Sequence, residues 1–180
     1  MTQITFLGLT ASPYQLKMQA LADAAQVSWR RAPEQVSRLQ GLTLGWRLRR
    51  ARQAETIERL PRREAGLDEY PTVPFYTLDR KTFYYDSTGL AYHLEKLTPA
   101  AEGLLPGEPA TRFICQLIDE AFDEFGLYMV HHNRWVISAA TNTMGTFTAR
   151  QLRVPDFLVP LAARWLARRG RCLFGIYAPF

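Results

Sequence analysis

Residues 4–19 read ITFLGLTASPYQLKMQ. The run from Ile4 to Gly8 is short, apolar and rich in β-formers, which predicts a buried strand. Ser12 is a favoured N-cap and Pro13 the favoured first helical residue, so a helix is expected from Pro13 to Ala25. Met18, Leu21, Ala22 and Ala25 recur at helical spacing and give that helix one apolar face. Val27 to Arg31, VSWRR, reads as a second strand. The distance between the strands suits a βαβ crossover, which requires a parallel pair.

Working outward, residues 33–69 carry helix formers from Leu44 to Leu60, punctuated by Gly41, Gly45 and Pro61. A mostly helical, partly irregular excursion is expected there. Thr72 to Leu78 (TVPFYTL) and Lys81 to Tyr85 (KTFYY) are β-rich and separated by Asp79-Arg80, a turn-compatible pair, so they predict an antiparallel hairpin. Leu90, Ala91, Leu94 and Leu97 make a helical stripe over Ser87 to Leu97. TPAAEGLLPGEPA, with three prolines and two glycines, reads as a linker. From Pro109 the pattern is all-helical. Phe113, Leu117, Ala121, Phe125 and Tyr128 predict a helix to about His131, SAATNTMGT a break, and Phe147–Val154 and Phe157–Arg169 further helix.

Composition sets bounds on function. At 47% hydrophobic and 22% charged the chain is ordinary globular material. No stretch approaches the roughly 20 consecutive apolar residues that span a bilayer. The start lacks the basic flank and cleavage site of a signal peptide, so a cytoplasmic protein without membrane attachment is expected. Cys115 and Cys172 are far apart and outside any CxxC spacing, so neither a disulfide nor a metal site is expected, and both read as small hydrophobes in helical packing. The net charge of +5 is uneven: residues 30–64 hold ten arginines against four glutamates. One insertion carries the basicity. Trp46 is the sole aromatic among its helical arginines, too few for base stacking, which makes nucleic acid an unlikely partner.

The order β-α-β-insert-β-β-α is the thioredoxin-like one, and specific residues fit it. SPYQ, residues 12–15, stands at the strand-to-helix turn where glutaredoxins carry CPYC. TVPF, residues 72–75, has the Val-Pro that opens the third strand of that fold. YYDSTGLAYHLEKL, residues 84–97, looks like the acidic-Ser segment that starts the third helix of glutathione transferases, and LLPGEPATR resembles their interdomain linker. Taken together the chain resembles a glutathione transferase over residues 3–31 and 70 to about 130. The resemblance implies an α+β/α architecture: a thioredoxin-like mixed-sheet domain over 1–98, with the arginine-rich insertion at about 33–69, then a shortened helical domain over 108–180.

It also implies roles. Ser12 would hold the thiolate of glutathione, a co-substrate used without a metal. Tyr14 would line the cleft or pack over the sheet. Pro74 would be cis, with the Val73 backbone pairing with the cysteinyl part of the peptide as an added strand does. Asp86 would take the γ-glutamyl ammonium and Ser87 the γ-glutamyl carboxylate, at a helix N-terminus. Each residue has a plainer reading: Ser12 and Asp86-Ser87 as caps, Pro74 as a trans edge-strand proline.

The pattern departs from the family at two places. Thr72 stands where many members put a basic or amide side chain for the glycyl carboxylate, so a positive charge from elsewhere would be needed, and the insertion has many arginines to offer. Only about 75 residues follow the linker, fewer than the family's helical domain usually has. Two functions compete. One is a homodimeric transferase that activates the glutathione thiolate for attack on a small hydrophobic electrophile. The other is a non-catalytic scaffold whose basic insertion docks a protein or polyanion. With serine and glutamine at the two glutaredoxin cysteine positions, dithiol redox chemistry is excluded.

Overall fold

Ile4, Thr5, Phe6 and Leu7 are all buried, because strand β1 (Ile4–Leu7) lies inside a sheet covered on both faces. The computed structural model describes residues 3–59, 73–99 and 103–174. Contacts divide the chain into two compact units, Met1–Phe113 and Ile114–Phe180.

In the first unit α1 (Pro13–Ala24) links β1 to β2 (Trp29–Ala32), which pairs parallel with it, Ile4 opposite Trp29 and Leu7 opposite Ala32. Strand β3 (Phe75–Thr77) runs antiparallel on the other side of β1, Leu7 facing Phe75, and β4 (Tyr84–Tyr85) pairs antiparallel with β3. The order β2-β1-β3-β4 is mixed and thioredoxin-like, as the element order implied. Strand alternation sends Ile4, Phe6 and Tyr76 to one face. There they meet Met18 and Ala22 of α1 and Leu90 and Leu94 of α3 (Ser87–Leu97). Leu7, Phe75 and Phe83 go to the opposite face and meet Leu44 of α2 (Arg38–Gln53). Helices α1 and α3 therefore open on the same side of the sheet.

Three boundaries differ from expectation for physical reasons. Helix α2 starts earlier, at Ser37, whose hydroxyl accepts from the Gln40 N–H at 3.2 Å, and it ends at Gln53 rather than continuing to Leu60. Beyond it the chain turns extended: the Glu58 N–H donates to Phe83 O at 2.9 Å and the Tyr85 N–H to Glu58 O at 3.1 Å. The expected two-residue hairpin turn is a wider loop built on Asp79, whose carboxylate accepts from the Lys81 and Thr82 N–H groups, each at 2.8 Å. That shortens β4 to two residues.

Helix α4 (Pro109–Ala121) starts in the first unit and runs into the second. A π-helical turn (Phe122–Gly126), α5 (Leu127–His132) and another π turn (Asn133–Ile137) continue it, so the helix passes His131 before the break at Ser138. The apolar stripe on this run stays exposed, Phe125 to 73%. Helices α6 (Met144–Gln151) and α7 (Val159–Phe174) pack closely. Gly145 permits it, since a Cβ there would lie 2.7 Å from Ala163 O. Cys115 and Cys172 are free and exposed rather than packed in the interior.

Candidate functional site

Ser12 has N-cap backbone geometry, φ −80° and ψ 126°. Its N–H donates to Leu9 O at 2.9 Å and its carbonyl accepts from the Leu16 N–H at 3.2 Å. Its hydroxyl makes no capping hydrogen bond. The plainer reading of Ser12, a side chain bound to the first-turn amides, is therefore not the arrangement found. Of the two neighbouring hydroxyls, Thr10 Oγ1 accepts from Arg31 Nη1 at 2.7 Å, and Arg31 Nη2 also meets Glu34 at 3.0 Å. Tyr14 is the second residue of α1, half-buried and engaged in contacts of its own.

Because Leu7 pairs with Phe75, Gly8 and Pro74 meet at the same end of the sheet. A Cβ on Gly8 would lie 2.7 Å from Pro74 Cβ and 2.4 Å from Gln15 Oε1, so only glycine fits between them. The Val73–Pro74 peptide is cis and Pro74 is buried, while Val73 beside it is 56% exposed. Thr72 lies outside the described residues.

Gln15 is the residue that the sequence reading passed over. It is 0% exposed, and neither atom of its carboxamide has a hydrogen-bond partner among the described residues. Such a group is costly when unsatisfied, by about 1–3 kcal/mol. Its spacing was the available signal: three residues after Ser12, it falls on the same side of α1 and turns inward.

Asp86 caps α3. Its backbone takes φ 77°, in the left-handed region, and its Oδ1 accepts from the Thr88 N–H at 2.8 Å. Its Oδ2 forms an ion pair with Arg59 Nε. Both partners are sheltered, at 12% and 11% side-chain exposure. Ser87 follows as the first residue of α3 and is buried. From α1, Lys17 Nζ donates to Thr88 Oγ1 at 3.1 Å, tying the two helices together. Behind this corner Tyr76 Oη lies 3.2 Å from His93 Nδ1, and Tyr84 stacks on Tyr76. Burial, then the charges of Tyr84 and Asp86, push the Tyr76 phenol far above its ordinary value. Burial, then Lys96, lowers His93 despite the opposing pull of Glu58.

The structure thus brings Ser12, Pro74, Asp86 and Ser87 into one unit. Ser12 and Ser87 open the two helices on one sheet face, Pro74 leads into β3, and Arg59 comes from the insertion. In the second unit burial, then Arg134, pushes His131 down to about 4, so this histidine is neutral near pH 7. Among the described residues no group of three or more His, Cys, Asp or Glu is placed to hold a metal ion, and no helix is long and apolar enough to cross a membrane.

No protein-family model matches the chain, and no curated protein matches it. Among solved structures it is similar to a glutathione transferase homolog from Sulfitobacter with bound glutathione. The identity is 13% and the TM-score 0.48, over 93% of this chain and 68% of that one. The functional reading rests on the residues described above.

Proposed function

We propose that the first unit binds glutathione and presents its thiolate for attack on a small hydrophobic electrophile. The observation that carries this is the hydroxyl of Ser12 at the opening of α1, which makes no capping hydrogen bond. A free thiol, with pKa near ~8.5, is mostly protonated at neutral pH. A hydroxyl donor at the positive end of a helix favours the anion. A charge-assisted hydrogen bond of about 1.5–3 kcal/mol corresponds to about one to two pKa units at ~1.4 kcal/mol each. The exposed Val73 offers main-chain groups for the cysteinyl backbone. The buried start of α3, with Ser87 as first residue and Asp86 as cap, receives the γ-glutamyl end. The transferase reading carries a homodimer with it.

The test is calorimetric titration of glutathione into the full chain and into Ser87→Ala. Binding in the millimolar range or tighter, lost or weakened about tenfold in the variant, supports the reading. No binding by the unmodified protein overturns it.

The scaffold reading has one observation in its favour. Helix α2 carries five arginines and no acidic residue, and among the described residues none of the five pairs with a carboxylate. Salt-sensitive binding to polyanions, without glutathione binding, is the outcome that would favour it.

A further inference from the structure

The corner where α3 begins already holds charged side chains where a γ-glutamyl group would arrive. Asp86 spends Oδ1 on the Thr88 N–H and Oδ2 on Arg59. Lys17 reaches Thr88 Oγ1 from the α1 side. Two cations and one carboxylate therefore meet at the first turn of α3, where the helix's own amide dipoles also favour an anion.

A ligand carboxylate arriving at Ser87 meets the amide dipoles of the helix start favourably. A ligand ammonium does not. The carboxylate oxygen it would seek already holds the Arg59 guanidinium. Nor is Arg59 a loosely tethered side chain, for its neighbour Glu58 is bound on both sides to the β4 segment, through Phe83 O and the Tyr85 N–H. A second observation points to a ligand at this end of the sheet. The buried carboxamide of Gln15, against Gly8 and Pro74, lacks a protein partner among the described residues.

We propose that Arg59 is a specificity determinant: it stands where a ligand ammonium would, so the site binds glutathione but prefers a thiol peptide whose terminal acyl group bears the carboxylate without the free amine. This deepens the glutathione reading and rests on it. The same thiol meets Ser12, the same backbone lies along Val73 and the same carboxylate meets Ser87. Only the ammonium is replaced by the protein's own cation.

The test is titration of the full chain with two probes, glutathione and N-glutaryl-cysteinylglycine, which is glutathione without its amino group. The unmodified protein is expected to bind the glutaryl compound at least about tenfold more tightly. Arg59→Gln should erase that preference, by tightening glutathione and weakening the glutaryl compound. Arg59→Lys should keep it, with thermal melts showing that both variants fold. Glutathione binding as tightly as the glutaryl compound, or a preference unchanged in Arg59→Gln, overturns the inference and leaves the glutathione reading standing. Failure of both probes at millimolar concentration overturns both.

Discussion

Ser12→Ala separates a helix cap from a thiolate donor, because the two roles predict opposite results in two measurements. Replacing a working Ser cap by Ala costs about 0.5–2 kcal/mol. Ser12 has the cap backbone angles, but its hydroxyl makes no capping bond to the amides of the first turn. The stability change on urea unfolding should therefore fall below the low end of that range. The bound thiol should respond strongly. Losing a charge-assisted donor worth about 1.5–3 kcal/mol raises the pKa of bound glutathione by about one to two units. The assay is the ultraviolet absorbance of the thiolate, titrated with saturating glutathione, alongside the rate of conjugation to a generic aromatic electrophile. At neutral pH the thiolate fraction and the rate should fall together by up to about tenfold, with glutathione affinity kept within a few-fold. A variant that loses about 1 kcal/mol of stability while its thiolate titration stays in place would make Ser12 a plain cap and refute the reasoning.

Gln15→Leu should stabilise the free protein by about 1 kcal/mol or more in urea unfolding, since it removes an unsatisfied buried carboxamide at similar volume. It should also weaken thiol-peptide binding, and a variant less stable than the parent would show that the carboxamide is satisfied in solution. Asp79 gives a pH dependence. Burial works to raise its carboxyl, but hydrogen bonds from the Lys81 and Thr82 N–H groups and the Thr82 and Thr77 hydroxyls outweigh burial and hold it below the usual carboxylate range. A depressed folded pKa gives stability that is present above the unfolded carboxylate pKa and lost as pH falls through the folded one. The stability gap between the parent and Asp79→Asn should therefore be largest near neutrality and shrink in acid; a gap independent of pH would contradict the assignment.

The sheet was legible because its signals are local. The run over Ile4–Leu7 is apolar on both faces, as a central strand must be, and Ser12-Pro13 marks the helix start by cap chemistry that operates within one turn. The hairpin turn was misjudged because Asp79 gathers donors from a wider loop than the Asp79-Arg80 pair suggested, and no propensity encodes that count. Helix α2 was misplaced at both ends. Gly41 and Gly45 looked like punctuation, yet Ser37 caps the helix before them and both are carried inside it. The stripe of Phe113, Leu117 and Phe125 shows the limit of periodicity. Helical spacing correctly marked an apolar face, but spacing says nothing about what, if anything, covers it, and these side chains remain exposed.

The same distinction between local and distant signals governs the candidate site. Asp86-Ser87 announced the start of α3, and the cap bond to Thr88, two residues away, is there. The partner of the other carboxylate oxygen was invisible, because Arg59 lies 27 residues upstream in a segment that no periodicity tied to this helix. The insertion, residues 33–69, had eight arginines to offer, and nothing in their spacing singled one out. What selects Arg59 is the pairing of Glu58 with β4, a tertiary event that sets the next side chain beside Asp86. The proposed recognition of the ligand's amino end therefore rests on a contact between an insertion and a helix cap. Substitutions around Glu58 that loosen this pairing should alter ligand preference without touching a residue that meets the ligand.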